Sequence, residues 1–335
     1  MAQKRKLPPL KEHEGHKFHT DYLCMMLPLL AWPIFLYGMR PLVLWAVAII
    51  TAKVCDILIC RMRKRRYNRT ENSSLVHAVL LVMLMPASVP YYVVVISVAA
   101  LVFLAKEAFG GYGAYPFHPT AVGYAVAAIS WPSYLLKYPV PFQEKLPLWG
   151  SLENVAYTES VSHVMRTGGI PNIKRLDLVL GNYASLMGTA SVLIILSCGI
   201  FLLVRKRISL EISLSFLLSA ALIAWCFPRI GDVHGFFWQN ADQRMQSLQL
   251  ELLSGAMIFS AVFLSSEPST IPKNRLAQVV YGLIWGILTM MYRYYGTYEV
   301  GVCFALLVVN AASGYIDRVV VKLTTTYKGV IRRVG

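Results

Sequence analysis

Ten apolar stretches follow one another along this chain, and each is long enough, or nearly so, to cross a membrane as a helix. They cover residues 22–39, 41–60, 74–86, 90–108, 119–134, 183–204, 209–226, 249–265, 276–292 and 297–317. A helix needs about 20 apolar residues to cross the hydrocarbon core of a bilayer. Only 15% of the 335 residues are charged, whereas soluble domains carry about 25%. The pattern predicts an all-α membrane protein of about ten transmembrane helices, folded as one polytopic domain over residues 1–335 in a lipid bilayer.

Basic residues indicate the orientation of these predicted spans. With the N-terminus in the cytoplasm, 22 Lys and Arg residues fall on the cytoplasmic side and 9 on the other. Such a bias follows the positive-inside rule, which predicts cytoplasmic tails at 1–21 and 318–335. The net charge of +15 therefore indicates topology rather than nucleic-acid binding. The six cysteines include no C-x-x-C pair, so the sequence predicts neither a metal site nor a disulfide framework.

The stretch from Phe109 to Tyr124 interrupts the apolar pattern between the fourth and fifth spans. Gly110, Gly111 and Gly113 permit backbone angles that other residues rarely adopt, and two prolines then fix the path into the next helix. At membrane depth, a broken backbone is tolerated only where protein or a cavity covers it. We therefore expect a functional site at this break.

The sequence also contains an internal repeat. L-M-P-A-S-V-P around Pro86 is matched by S-E-P-S-T-I-P around Pro268, and in each case an apolar helix and then a Gly/Tyr break follow, at Gly110 and at Tyr294. The match predicts a first repeat at 22–134, an extracytoplasmic insertion at 135–182 and a second repeat at 183–317. Because each repeat holds five spans, the second begins on the opposite side of the membrane, which predicts inverted topology with a site between the halves.

Four sequence blocks carry a resemblance to a known family. They are K-E-A-F-G-G-Y-G-A-Y-P-F-H-P-T-A-V-G-Y-A (106–125), L-V-L-G-N-Y-A-S-L-M-G-T-A-S (178–191), S-S-E-P-S-T-I-P (265–272) and G-T-Y-E-V-G-V-C-F-A-L-L-V-V-N (296–310). In this order they resemble the RnfD/NqrB family, and by length the chain is more similar to RnfD. That family supplies membrane flavoprotein subunits of ion-translocating ferredoxin:NAD oxidoreductase and Na+-translocating NADH:quinone reductase complexes.

The resemblance implies a subunit that holds a flavin, FMN and/or riboflavin, and passes electrons between partner subunits while the complex moves Na+ or H+. It implies a bacterial inner or plasma membrane location, no turnover by the isolated subunit and no catalytic residues of its own. The flavin pocket that it implies consists of Gly110, Gly111, Gly113, Phe117, His118, Thr120, Asn182, Ser185 and Thr189.

The chain departs from the family at the site of flavin attachment. The family joins FMN through its phosphate to the threonine of an [ST]-G-A-T motif, which aligns here with Ser162 to Met165. Because a thioether has no hydroxyl to form a phosphoester, Met165 argues against covalent FMN. The family's Asn and Asp at two other motif positions are replaced by His118 and Glu267.

Two other interpretations stay open on the sequence alone: a solute transporter or channel-like protein, and a structural subunit that has lost covalent flavin. His118 could bind a flavin ring, carry protons or simply satisfy the start of a helix. Lys106 is expected to extend towards the membrane surface, and Lys53 to pair with Asp56 one helical turn later. His77 lies in apolar surroundings, which makes it a candidate for an ion pathway.

Overall fold

The computed structural model describes residues 12–64, 71–143, 145–150, 152, 155–230, 240–297 and 300–334, with side chains described from Lys17 to Thr325 within these ranges. The first half contains α1 (Glu12–Tyr37), α2 (Arg40–Met62), α3 (Ser73–Met83), α4 (Tyr91–Ala100) and α5 (Pro119–Ser130). The insertion contains α6 (Pro132–Leu135), β1 (Tyr138–Pro139), β2 (Tyr157–Thr158), α7 (Val161–Arg166) and α8 (Arg175–Leu180). The second half contains α9 (Val192–Val204), α10 (Leu210–Cys226), α11 (Ala241–Leu253), α12 (Met257–Phe263), α13 (Arg275–Tyr295) and α14 (Gly301–Val334).

Helices dominate the described residues, and the two short strands pair antiparallel with Tyr138 opposite Thr158. By length and composition, four helical stretches of this part of the chain could cross a membrane: 17–37, 40–62, 91–109 and 301–325. A fifth is possible if α11 and α12, which meet at a bend of 48°, form one broken span. This confirms the prediction of an all-α membrane protein. The number of ten spans stays a prediction, because α3, α5, α9 and α10 are shorter apolar helices of 10–17 residues.

Several helices extend beyond the predicted spans, while the predicted tails and span boundaries stay predictions. α1 begins at Glu12, inside the predicted cytoplasmic tail, and α14 continues through the other predicted tail to Val334. α11 begins at Ala241, in a polar stretch before the predicted eighth span. Helices extend past the apolar residues in these places because polar side chains at a helix end can face water without breaking the backbone hydrogen bonds.

α10 illustrates how one helix serves both lipid and protein. Leu214, Leu218 and Leu222 recur every four residues and are 61–66% exposed, as expected for a stripe that faces lipid. On the opposite face the helix packs against α13, whose Gly282 and Gly286 let the two backbones approach closely. Small residues at such crossings are typical of membrane helices, where close packing rather than hydrophobicity drives association.

The packing order of the first half recurs in the second. α2 packs against α3 and α4, and α4 packs against α5. Likewise α10 packs against α12 and α13, and α13 packs against α14. Contacts of α5 with α14 and of α1 with α9 join the halves. The recurrence supports the internal repeat, while the inverted orientation of the halves stays a prediction.

Arg40 joins the insertion to the first half through hydrogen bonds. This side chain is buried, and its guanidinium donates to the carbonyl oxygens of Ala87 at 3.0 Å, Val89 at 3.2 Å and Pro147 at 2.8 Å. Its N–H groups therefore satisfy backbone carbonyl oxygens in the proline-containing turn after α3, which have no helical hydrogen-bond partners. The insertion is thus held on the side of the molecule where α2 begins.

Candidate functional site

The helix break predicted after the fourth span is present, and it includes residues before the glycines as well as the glycines themselves. α4 continues as a π-helical turn over Leu101–Lys106 and a 3₁₀ turn over Glu107–Phe109. Gly110, Gly111 and Gly113 then adopt φ angles of +112°, +96° and +81°, in the left-handed region that favours glycine. π-helical turns are rare and are frequently found at functional sites. Lys106 is the last residue of the π-helical turn, directly before the 3₁₀ turn.

Lys106 is the centre of a buried ionic cluster. Its ammonium lies 2.6 Å from Glu71 Oε1, 2.8 Å from Ser74 Oγ and 3.5 Å from Asp56 Oδ1. Ser74 also donates to Asp56 at 2.8 Å. Lys106 is 2% exposed, so the expectation that it extends towards the membrane surface is wrong. The predicted pairing of Lys53 with Asp56 is wrong too, because Lys53 is exposed while Asp56 turns inward to Lys106.

Glu71 lies in the loop before α3. Burial raises the pKa of its carboxyl, but the Lys106 ammonium outweighs this effect and holds the pKa below its ordinary value. Glu71 is therefore a carboxylate at neutral pH, and the pair is ionic. At the outer edge of this cluster, Arg63 pairs with Glu107 at 3.2 Å.

A second buried ionic cluster lies at the other helix break. Arg293, in the last turn of α13, contacts Glu251 Oε2 at 2.6 Å and donates to Ser254 Oγ at 2.7 Å. Arg229 contacts the other oxygen of the same carboxylate at 2.5 Å. Glu251 is fully buried at 0% exposure, and each of its two oxygens contacts a guanidinium group. This predicted break extends from Tyr294 to Gly301, and its residues 298 and 299 lie outside the described part of the chain.

The two clusters share one plan. Each contains a glutamate followed three residues later by a serine, Glu71 with Ser74 and Glu251 with Ser254. In each, a cation from the end of the helix before the break binds both members of this pair. Sequence reasoning missed both clusters. The E-x-x-S match between the halves was the signal that could have indicated them.

A third polar cluster lies between the halves. Tyr115, in the broken segment, donates to Glu267 Oε1 at 2.6 Å. His77 Nε2 lies 3.3 Å from the Tyr115 hydroxyl and 3.5 Å from Glu267 Oε2, and its Nδ1 lies 3.3 Å from Thr120 Oγ1. The His118 ring centroid is 5.2 Å from that of His77. All five side chains are almost fully buried, which makes this the most enclosed polar group at the predicted break.

The structure places the residues of the expected flavin pocket in separate regions. Gly110, Gly111 and Gly113 form the turn after the 3₁₀ segment, and Phe117 lies edge-on to Phe109 beside it. His118 and Thr120 belong instead to the cluster between the halves, in contact with His77.

The remaining pocket residues lie along a segment that follows α8. Its backbone donates from Met187 and Gly188 to carbonyl oxygens at the end of α3. Ser185 and Thr189 are buried there and bond only loosely to the Leu186 carbonyl, at 3.4 and 3.5 Å. Asn182 donates to Asp177 at 3.3 Å. No described contact gathers these residues and the glycine turn around one cavity, so the pocket as a whole stays a prediction.

Met165 lies on α7 and turns away from solvent. It is 1% exposed and packs in a small apolar cluster with residues that include Leu178, Tyr183 and Leu250. A thioether has no hydroxyl, so FMN cannot be attached through this side chain. The prediction that this chain carries no covalent FMN rests on the alignment of Met165 with the family's threonine, and it stays a prediction.

The opposite side of α7 lines a small, partly open pocket. Ser160, Ser162, His163 and Arg166 from the insertion face Arg293, Gly296 and Thr297 from the second break, with Leu136 beside them. Arg166 donates to the Gly296 carbonyl at 2.5 Å and contacts His163 Nδ1 at 3.1 Å. Ser162 Oγ is buried and has no hydrogen-bond partner among the described residues. Serine hydroxyls and guanidinium groups together suit an oxyanion such as phosphate.

These features define the class: a polytopic all-α membrane protein with broken helices and buried charges. Against protein-family profiles, residues 10–325 match the NQR2, RnfD, RnfE family. The chain therefore belongs to that family, which confirms the resemblance found in the sequence.

Curated relatives agree over most of the chain. One, from Yersinia pseudotuberculosis serotype I (strain IP32953), is named as the D component of an ion-translocating oxidoreductase complex. The chain is 30% identical to it over 315 residues, with 84% of this chain and 86% of the relative covered. It is 28% identical over 325 residues to the protein of the same name from Escherichia coli O17:K52:H18 (strain UMN026 / ExPEC), with 88% and 90% covered. Both matches extend over most of each chain, so they are similarities of the whole protein rather than of one segment.

Proposed function

We propose that this chain is a membrane subunit of an ion-translocating oxidoreductase complex of the Rnf type, in a bacterial inner or plasma membrane with both termini in the cytoplasm. Within the complex, it holds a flavin without a covalent bond and relays electrons between partner subunits while Na+ or H+ is moved. Family membership and the names of the relatives support the complex. They also argue against an independent solute transporter.

The observation that carries the flavin proposal is the pocket between α7 and the second helix break. Arg229 and Arg293 share the single carboxylate Glu251, so one positive charge beside the pocket is left over, and Arg166 adds another. A flavin phosphate fits these charges and the unpartnered hydroxyl of Ser162. Met165, on the other side of α7, cannot form the ester. The residues present therefore fit a bound FMN phosphate and do not fit covalent attachment at position 165.

In this proposal the protein positions the flavin, and the flavin supplies the redox chemistry. Arg166 holds the phosphate by charge-assisted hydrogen bonds, and Ser162 adds a neutral one. The guanidinium of Arg166 is already fixed by Gly296 and His163, so little side-chain entropy is lost on binding.

The test is the flavin content of the complex purified with its partner subunits. Wild type should release free flavin on denaturation and show no fluorescent band for this chain in a denaturing gel. Replacing Arg166 by Gln should weaken flavin retention at least about tenfold, because a hydrogen bond to a charged group contributes roughly 1.5–3 kcal/mol. Arg175→Gln is the matched control, since Arg175 lies exposed in the same insertion.

Each alternative gives a different result. A fluorescent gel band for the wild-type chain contradicts non-covalent binding. Absence of flavin from this chain in the native complex identifies a structural component instead. Met165→Thr restores the hydroxyl that the family resemblance has at this position. A fluorescent band that appears only in this variant would show that Met165 alone prevents attachment.

A further inference from the structure

Three buried side chains from separate segments of the chain meet between the two halves. His77 lies on α3, His118 directly precedes α5, and Glu267 follows α12. Each is at most 4% exposed, and one ligand atom from each lies within 4.8 Å of the others. Two imidazoles and a carboxylate at this spacing are the donor set of many transition-metal sites.

One assignment of the hydrogen bonds places the proton of His77 on Nδ1 and leaves Nε2 free to bind a metal. In that assignment, Thr120 Oγ1 donates its hydrogen to the His77 carbonyl oxygen at 3.2 Å, and its oxygen accepts from His77 Nδ1–H at 3.3 Å. The neutral imidazole then has its lone pair on Nε2. Metal-bound histidines are usually fixed in this way, with the second ring nitrogen donating to an outer partner.

In that tautomer, the lone pair faces the Tyr115 hydroxyl and the Glu267 carboxyl. The Tyr115 hydroxyl donates to Glu267 Oε1 at 2.6 Å, so its hydrogen is already used. With Glu267 as a carboxylate, His77 Nε2 and Glu267 Oε2 face each other at 3.5 Å as two acceptors. His118 Nδ1 is also buried and has no hydrogen-bond partner within the part of the chain that the structure describes. Facing acceptors in a buried site repel each other unless a proton or a metal ion lies between them.

We propose that His77, His118 and Glu267 bind one divalent transition-metal ion, for which Zn2+ is the simplest probe. Ligand atoms around a tetrahedral metal with bonds of about 2.0–2.1 Å lie roughly 3.4 Å apart. The observed 3.5 Å between His77 and Glu267 meets this requirement. The widest separation of 4.8 Å closes with a movement of about 1.4 Å, within the reach of a ring rotation. The Tyr115 oxygen or a water completes the coordination.

The ion ties the two halves of the protein together, because both histidines belong to the first half and the carboxylate to the second. No short motif in the sequence indicates the site, since its ligands lie far apart along the chain. His118 is also a departure from the family resemblance, which has Asn at this position. The site is therefore a property of this chain and is not expected in relatives that keep the Asn.

The test uses the full chain in its complex, without a polyhistidine tag. The protein is stripped with a chelator, equilibrated with ZnCl2, dialysed, and analysed for zinc per chain by mass spectrometry. Wild type should retain one zinc, and His118→Asn should lower the affinity at least about tenfold. Thr120→Val removes the hydroxyl that contacts both Nδ1 and the carbonyl oxygen of His77, and should weaken binding about 10–100-fold. The control His163→Asn removes a partly exposed histidine and should leave zinc retention unchanged.

A second measurement does not depend on any variant. Addition of ZnCl2 to the stripped wild type should raise its thermal unfolding midpoint, because the metal joins the halves only in the folded state. Co2+ in place of zinc should give visible absorption typical of a tetrahedral site. The proposal is overturned if stripped wild type retains no zinc after loading. Equal retention by wild type and His118→Asn would overturn it as well.

Discussion

Gly286 on α13 provides the sharpest test of the packing that supports the second cluster. A Cβ atom at this position would lie 1.9 Å from Ser219 Oγ and 2.5 Å from the Phe216 carbonyl oxygen, both on α10. The hydroxyl can rotate away, but the carbonyl is part of the helix backbone. Gly286→Ala therefore has to push α13 away from α10.

The size of the effect follows from these distances. The 2.5 Å approach to the Phe216 oxygen is about 0.9 Å short of an ordinary contact of 3.4 Å. A shift of this size opens the packing of Trp285 against Phe216, whose ring centroids are 4.1 Å apart. Overpacking of this kind costs about 1–3 kcal/mol. At about 2–4 °C per kcal/mol, the unfolding midpoint should fall by roughly 2–12 °C.

The assay is thermal unfolding of the purified complex in detergent. Gly314→Ala is the control, because Gly314 also lies in a long apolar helix but has no atom within 4 Å of its would-be Cβ. It should be neutral or slightly stabilising, since alanine favours a helix over glycine by about 1 kcal/mol. Adding Ser219→Gly to the Gly286→Ala variant should recover only part of the lost unfolding temperature, because the close contact with the Phe216 carbonyl oxygen remains. If Gly286→Ala unfolds at the wild-type temperature, the close approach of α10 and α13 is not correct.

Two further predictions concern the ionic clusters. Lys106 holds the pKa of Glu71 below its ordinary value of 4.5, so the ion pair should stabilise the folded protein fully above pH 4.5 and lose this effect as the pH falls through the lowered pKa. In that acidic range, the thermal unfolding midpoint of wild type should drop more steeply than that of Glu71→Gln. In the second cluster, Glu251→Gln should cost about 3–5 kcal/mol, because it leaves buried Arg293 facing a neutral partner. An unchanged urea or thermal unfolding curve for that variant would contradict its burial.

The sequence was sufficient for the features that depend on local composition. Apolar length predicted the helices, and glycine spacing predicted the break at Gly110, because only glycine adopts those φ angles at little cost. Family blocks were recognisable because they preserve order and spacing along the chain. Helix ends were harder to predict, as α11 shows, since a polar helix such as Ala241–Leu253 carries no hydropathy signal.

The buried clusters could not be predicted in the same way. Lys106 meets Glu71 and Asp56 only after three separate helical segments pack together, and no local rule gives that arrangement. The local rule for charges three residues apart predicted Lys53 with Asp56 and failed. A buried ammonium offers the carboxylate a stronger partner than an exposed lysine does, because water and side-chain entropy weaken the exposed pair.

The two ionic clusters have the same arrangement of residues but opposite net charges. At the first break the Lys106 ammonium faces two carboxylates, Asp56 and Glu71, while Arg63 and Glu107 offset one another, so this cluster is negative by one. At the second break two guanidinium groups share Glu251, so it is positive by one. A repeat that served only to hold helices together would have no need for opposite signs. The positive sign at the second break, beside the α7 pocket, is the one that the phosphate of the proposed flavin requires.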